Sequence, residues 1–188
     1  MKTKDLAYIA LFAAITAVLG LMPAIPVPAV PVPITAQTLG VMLAGAVLGA
    51  RRGFLALLLF LVLVAVGLPL LAGGRGGLAV FAGPSAGFLL AWPLGAFVTG
   101  LLTEMFWRRY NVAWALVSTL VGGIAVIYAI GIPVLSLVSG TSLATAFTGS
   151  LAFVPGDVVK AVVAALVAVA VRRAYPVIER PRRVPVTP

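Results

Sequence analysis

The sequence predicts an all-α integral membrane protein of six transmembrane helices, with the N- and C-termini in the cytoplasm. Three observations predict it. Only 9% of the 188 residues are charged and the mean hydropathy is +1.22, whereas a soluble domain carries about 25% charged residues to face water. Four stretches, Leu6–Ala50, Gly53–Gly74, Gly76–Thr103 and Tyr110–Gly156, contain no Asp, Glu, Lys or Arg. Of the thirteen basic residues, all but Arg75 and Lys160 fall on one side of a six-span arrangement. The positive-inside rule makes that side the cytoplasm. A bilayer core of about 30 Å takes about 20 apolar residues as a helix, and backbone groups in lipid must be paired within the segment. The short alternating segments of an outer-membrane barrel are absent.

The spans follow in order. The first is expected over 6–22. Its basic start also resembles a signal peptide, but the apolar run is long for one and Met22-Pro23 is a poor cleavage site; a retained helix is the favoured reading. Pro23, Pro26, Pro28, Pro31 and Pro33 then exclude a helix, because proline lacks an N–H and biases its predecessor to extended geometry. The second span, 35–49, is closed by Arg51 and Arg52. The third, 53–71, ends near Pro69 and leads into the loop Gly73-Gly74-Arg75-Gly76-Gly77. The fourth is expected over 85–103, ending in Glu104, Arg108 and Arg109. Glu104 and Arg108, four residues apart, make an interfacial pair. The fifth, 112–132, is expected to stop at Gly131 and Pro133. A Ser/Thr-rich stretch with a short helix precedes the sixth, 156–171, which ends at Arg172 and Arg173. The single membrane domain thus covers 1–174, and 175–188 is a basic, proline-containing cytoplasmic tail. On this arrangement the proline segment, the glycine loop and the entry to the sixth span all lie on the external side. Irregular backbone at membrane depth is tolerated where it lines a cavity, so an outward-facing site is expected there.

Several functions are excluded. The net charge of +9 and pI near 11.2 do not mark a nucleic-acid binder, because the basic residues stand in pairs between apolar spans. Without cysteine or histidine there is no disulfide framework, thiolate site or histidine base; no metal and no cofactor is expected. Nothing matches G-x-x-x-x-G-K-[ST], so this chain does not bind ATP in that way. Intramembrane proteolysis lacks both a Ser–His arrangement and paired aspartates. An ion channel lacks rings of carboxylates.

The candidate ligand-contacting residues sit in the external segments. Asp157 and Lys160 are three apart at a helix start and share a face; ionisable residues in membrane helices usually face the bundle interior. A structural pair with Lys160 snorkelling to the interface is the alternative. Arg75, between Gly74 and Gly76, has the fork that suits a carboxylate, with glycines that let backbone N–H groups approach a ligand; a solvated loop arginine is the alternative. Thr35, Gln37 and Thr38 open the second span, where Gln is equally able to tie helices together. Ala10 and Ala14, and Ala13 and Ala17, give the first span small residues at the spacing that permits close helix approach.

Four stretches together resemble the BioY family, the biotin-specific S components of energy-coupling factor (ECF) transporters. They are Pro31-Val32-Pro33-Ile34-Thr35-Ala36-Gln37-Thr38, Ala72-Gly73-Gly74-Arg75-Gly76-Gly77, Gly83-Pro84-Ser85-Ala86-Gly87-Phe88-Leu89, and Val154-Pro155-Gly156-Asp157-Val158-Val159-Lys160. Where the family usually reads G-P-T-G-G-Y, this chain has Phe88 and lacks the phenol. The resemblance spans about residues 4–174. It implies an S-component-like six-helix bundle in a prokaryotic cytoplasmic membrane, with an external biotin pocket. It further implies a transmembrane coupling subunit, docking on the small-residue face of the first span, and two cytoplasmic ATPases as partners. The site residues it implies are Asp157, Lys160, Arg75, Gly74, Gly76, Gln37, Thr35 and Phe88. The chemistry agrees: Asp157 can accept from ureido N–H groups, Lys160 can donate to the ureido carbonyl, and Arg75 or loop N–H groups can take the carboxylate. The reverse pose, with Lys160 on the carboxylate, is open. An S component for another small vitamin, or an assembly subunit whose charges serve packing, are the competing readings.

Overall fold

The computed structural model describes residues 2–178. The end of the expected tail, including Arg180, Arg182 and Arg183, lies outside the described residues. The described residues form eight α-helices: α1 (Thr3–Leu19), α2 (Gln37–Leu48), α3 (Ala50–Ala65), α4 (Ala86–Met105), α5 (Val112–Leu120), α6 (Ile127–Ser139), α7 (Leu143–Ser150) and α8 (Val154–Ala174). They make six rods, because α5 and α6 join through a π-helical turn, Val121–Val126, and α7 runs through a 3-10 turn into α8. Among the described residues, three rods are long and apolar enough to cross a membrane: Ala86–Met105, Val112–Ser139 and Leu143–Ala174.

α8 shows what solvent these rods are built for. Its buried face is Asp157, Ala161, Ala164, Ala165 and Ala168, whereas Val159, Val162, Val163 and Leu166 point outward. A helix in water would reverse that order; one that is apolar all round sits in lipid. Small residues also bring the rods close. α4 is the centre, packed on α2, α3 and α6. A side chain at its Gly95 would collide with the backbone of Gly122 and with Ile127, so backbone proximity of the kind seen between membrane helices sets this contact.

Some expected boundaries move. α6 does not stop at Gly131 and Pro133 but continues to Ser139 with Pro133 inside it. Proline is tolerated in membrane helices when neighbours and local adjustments accommodate the freed backbone groups, and the π turn ends about two turns before it. α3 ends at Ala65, short of Pro69, as the chain turns at Gly67 with φ +106°. Glu104 does not pair with Arg108: its Oε1 accepts the Ala50 N–H at 2.8 Å. It thereby satisfies a free N–H at the start of α3, where negative charge is favoured.

One end of the bundle carries the basic pairs. Arg52 Nε lies 3.1 Å from Asp5 Oδ1, and Arg52 Nη1 donates to the Val177 carbonyl at 3.0 Å. The Lys2 N–H and the Arg52 charge hold the Asp5 carboxyl below the usual carboxylate range. Arg172 donates to the carbonyls of Tyr110 at 2.5 Å and Trp107 at 2.7 Å, with its guanidinium over the Trp107 ring. The N-terminus of α1, the start of α3, the α4–α5 connection and the end of α8 are thus tied together. The proline segment and the glycine loop lie elsewhere, against the first turn of α2. Ile25 and Ile34 exchange backbone hydrogen bonds at 3.0 and 2.9 Å, folding the proline segment into a hairpin. Leu71 and Arg75 close a tight turn whose Gly73 and Gly74 take φ +79° and +69°, conformations open at little cost to glycine alone.

Candidate functional site

The start of α8 places two charges one turn apart. Pro155 suits the first turn of the helix, and Asp157 in that turn faces inward, only 4% exposed. Lys160 follows on the same face, its Nζ 2.8 Å from Asp157 Oδ1. The first turn of α2 meets them. Lys160 Nζ also donates to the Thr35 carbonyl at 2.5 Å and to Thr38 Oγ1 at 2.9 Å. The Thr38 hydroxyl in turn donates to Asp157 Oδ1 at 3.0 Å. From α6 the Tyr128 hydroxyl donates to Asp157 Oδ2 at 2.7 Å. All three ammonium protons are therefore used, and the carboxylate accepts three hydrogen bonds. A buried pair satisfied to this degree avoids the penalty of an unpaired charge.

This cluster lies on the wall of a cavity bounded by the proline hairpin, the glycine loop and the facing sides of α2, α4, α6 and α8, with the mostly apolar lining and few placed polar groups of small-molecule sites. Most of the wall is apolar. Phe88, Tyr128 and Phe153 stand edge to face, with ring centroids 6.0–6.4 Å apart, and Val32, Ile34, Leu71, Leu89, Trp92 and Ile127 complete the apolar surface. The hairpin supplies Val32 and Ile34; the 85–92 face of α4 supplies Ser85, Phe88, Leu89 and Trp92. The buried indole Nε1 of Trp92 has no hydrogen-bond partner among the described residues.

The expected residues divide on inspection. Asp157, Lys160, Thr35, Gln37, Phe88 and Arg75 all line the cavity. Gln37, however, has its polar atoms occupied: Nε2 donates to the carbonyls of Thr16 (3.1 Å) and Leu70 (3.0 Å), and Oε1 accepts the Ala72 N–H (3.0 Å). It ties α1 and the glycine loop to α2. Gly74 and Gly76 do not line the cavity. Gly74 serves the Leu71–Arg75 turn, and Gly76 sits where a side chain would strike the Leu68 carbonyl. The alanines of α1 also part company. Ala10 and Ala14 are exposed, but Ala13 is buried and Ala17 packs against the chain's own core, so the surface a partner could touch carries only the first pair.

The sequence reading missed Tyr128, Phe153 and Trp92 as lining residues and gave Thr38 no role. Tyr128 had a usable signal: a phenol inside the charge-free stretch 110–156 needs a partner for its hydroxyl. Trp92 and Phe153 had none, since large aromatics are common in any apolar core.

The fold and the site together define a class: a multi-pass helical membrane protein enclosing a small-molecule cavity with a buried ion pair. Comparison with known proteins narrows it. The BioY family model matches residues 1–177. The "Biotin transporter BioY" of Rhizobium etli is 55% identical over 184 residues, covering 95% of this chain and 98% of that protein. The "Probable biotin transporter BioY" of Bacillus subtilis is 48% identical, covering 93% of each. A crystal structure of the S-component for biotin from an ECF-type ABC transporter superimposes with a TM-score of 0.87 at 35% identity, covering 92% of this chain and 95% of that one. The chain belongs to the BioY family.

Proposed function

We propose that this chain is the biotin-binding S component of an ECF-type transporter, capturing biotin from outside and passing it across the cytoplasmic membrane. The observation that carries this reading is the Asp157–Lys160–Thr38–Tyr128 cluster on the wall of an otherwise apolar cavity, in a chain whose relatives are named biotin transporters. A ureido group needs acceptors for two N–H donors and a donor for its carbonyl, and its apolar rings need an apolar wall. Asp157 and Lys160 meet the first need by exchanging their internal hydrogen bonds for ligand ones. Phe88, Tyr128 and Phe153 meet the second.

Six membrane crossings with both termini inside fit the same reading. The end tied together by Arg52 and Arg172 would face the cytoplasm under the positive-inside rule, and the cavity would open outward. The chain has no phosphate-binding motif, so ATP hydrolysis falls to partner subunits: a transmembrane coupling protein, docking near Ala10 and Ala14, and two cytoplasmic ATPases. Saturable, nanomolar binding of labelled biotin to the detergent-purified chain tests the assignment. Saturation by a different vitamin in place of biotin would move the chain to another substrate.

A further inference from the structure

We propose that the basic end of the bundle binds the phosphate groups of anionic phospholipids. The ion-pair inventory leads there. Eight basic side chains, Lys2, Lys4, Arg51, Arg52, Arg108, Arg109, Arg172 and Arg173, stand at this end against two carboxylates, Asp5 and Glu104. Both carboxylates are committed. Asp5 pairs with Arg52 at 3.1 Å, and Glu104 accepts the Ala50 N–H instead of pairing with Arg108. Arg52 and Arg172 spend further donors on the carbonyls of Val177, Tyr110 and Trp107. Lys4, Arg51, Arg108, Arg109 and Arg173 are left exposed, their side chains without a hydrogen-bond or ion-pair partner among the described residues. By sequence, residues 179–188 hold three arginines and one glutamate, so that segment has no surplus of negative charge to offset them.

The placement of these five cations favours lipid over a protein partner. Lys4 is on α1, Arg51 at the start of α3, Arg108 and Arg109 between α4 and α5, and Arg173 at the end of α8. α1 packs on α3, α3 on α4 and α5 on α8, so the charges follow the rim of the bundle. A protein meets one side of a subunit, whereas an annulus of lipid reaches every rod. Exposed apolar side chains lie close to the cations in sequence: Leu6, Met105, Val112 and Trp114. The Trp114 ring stacks on Phe106 with centroids 3.9 Å apart, and aromatic rings of this kind gather at headgroup level. Acyl chains then meet the apolar side chains while phosphates meet the guanidinium forks, which fit them geometrically. Basic clusters at membrane helix ends attract anionic headgroups over about one Debye length, roughly 10 Å at 0.1 M salt.

The test uses the full chain reconstituted in phosphatidylcholine, with spin-labelled phosphatidylglycerol or spin-labelled phosphatidylcholine as the probe. Electron paramagnetic resonance reads the fraction of each probe held against the protein. In low salt the parent is expected to retain phosphatidylglycerol over phosphatidylcholine by at least about threefold, falling towards parity at about 0.5 M sodium chloride. The triple variant Arg108→Gln, Arg109→Gln, Arg173→Gln should lower the low-salt preference below about 1.5-fold. Its melting temperature should match the parent's, since the three side chains have no partner among the described residues. Equal retention of both probes by the parent, a preference that survives 0.5 M salt, or one unchanged in a folded triple variant overturns the proposal. If inorganic phosphate removes the preference at an ionic strength where chloride does not, these arginines take free phosphate and lipid is rejected as their occupant. If the parent shows no lipid preference and the triple variant loses a co-purifying coupling subunit, the face belongs to an acidic protein surface instead.

Discussion

Lys160 Nζ sits 2.8 Å from Asp157 Oδ1 and the same distance class from Thr38 Oγ1, at 2.9 Å, so α8 and α2 are joined by a closed triangle of a cation, an anion and a hydroxyl. Thr38 both accepts from the lysine and donates to the carboxylate. With Tyr128 on the second carboxylate oxygen, the pair is held in one geometry before any ligand arrives. That preorganisation lowers the ordering cost of binding.

Removing one uncharged arm should loosen the triangle without unbalancing its charge. Tyr128→Phe and Thr38→Val each delete a hydrogen bond to Asp157, worth about 1.5–3 kcal/mol for a charged acceptor at full strength. Some of that returns through ligand or water. Biotin affinity is expected to fall by about threefold to tenfold, where each tenfold is 1.4 kcal/mol. Affinity equal to the parent's in both variants would show that these hydroxyls do not shape the site.

Gln37 predicts a different signature. Gln37→Ala strands the Ala72 N–H and the carbonyls of Thr16 and Leu70. An unsatisfied buried group costs about 1–3 kcal/mol each, so the variant should melt well below the parent in the absence of any ligand. A variant that keeps its melting temperature and loses only biotin affinity would make Gln37 a ligand contact instead.

The topology is open to single-cysteine labelling, since the chain has no native cysteine. Gly74 and Gly140 are poor places for the probe because both have positive φ; Leu78 and Thr141, exposed and without positive φ, are better. Cysteines there should react with an impermeant thiol reagent from outside, and cysteines at Arg51 and Arg109 should not. External labelling at position 51 would contradict the arrangement with both ends inside.

The two alanine pairs of α1 should behave as opposites. Ala10→Leu and Ala14→Leu add bulk to an exposed face, leaving biotin binding and melting temperature as in the parent while reducing co-purification with the coupling subunit. Ala13→Leu overfills a buried position, where added methylenes cost about 1–3 kcal/mol, and should lower the melting temperature by itself. Full complex recovery with Ala10→Leu and Ala14→Leu would remove docking from this face.

The helices, their order and the Asp157–Lys160 pair were legible because each rests on a local signal: charge-free length, paired arginines, and a spacing of three. What was not legible depends on contacts between distant segments. The Gln37 side chain could not be assigned between ligand and packing until Thr16, Leu70 and Ala72 were seen around it. Glu104 had a plausible partner four residues away, yet it caps α3, fifty-four residues distant in sequence. Pro133 looked like a helix end because proline ends helices in water; in a packed membrane rod it does not. Ala10 and Ala13 were indistinguishable as small residues, since the side of α1 that meets α2 and α3 is set by the whole bundle.

The central claim is that biotin is held by the Asp157–Lys160 cluster. Its most direct measurement is a titration of labelled biotin into the purified parent and into Asp157→Asn, with melting temperatures taken on the same samples. The parent should saturate with nanomolar affinity and gain thermal stability with biotin, as any ligand confined to the folded state confers. Asp157→Asn should remain folded, bind at least about tenfold more weakly, and gain correspondingly less. A parent that never saturates, or a folded Asp157→Asn that binds like the parent, would contradict the account.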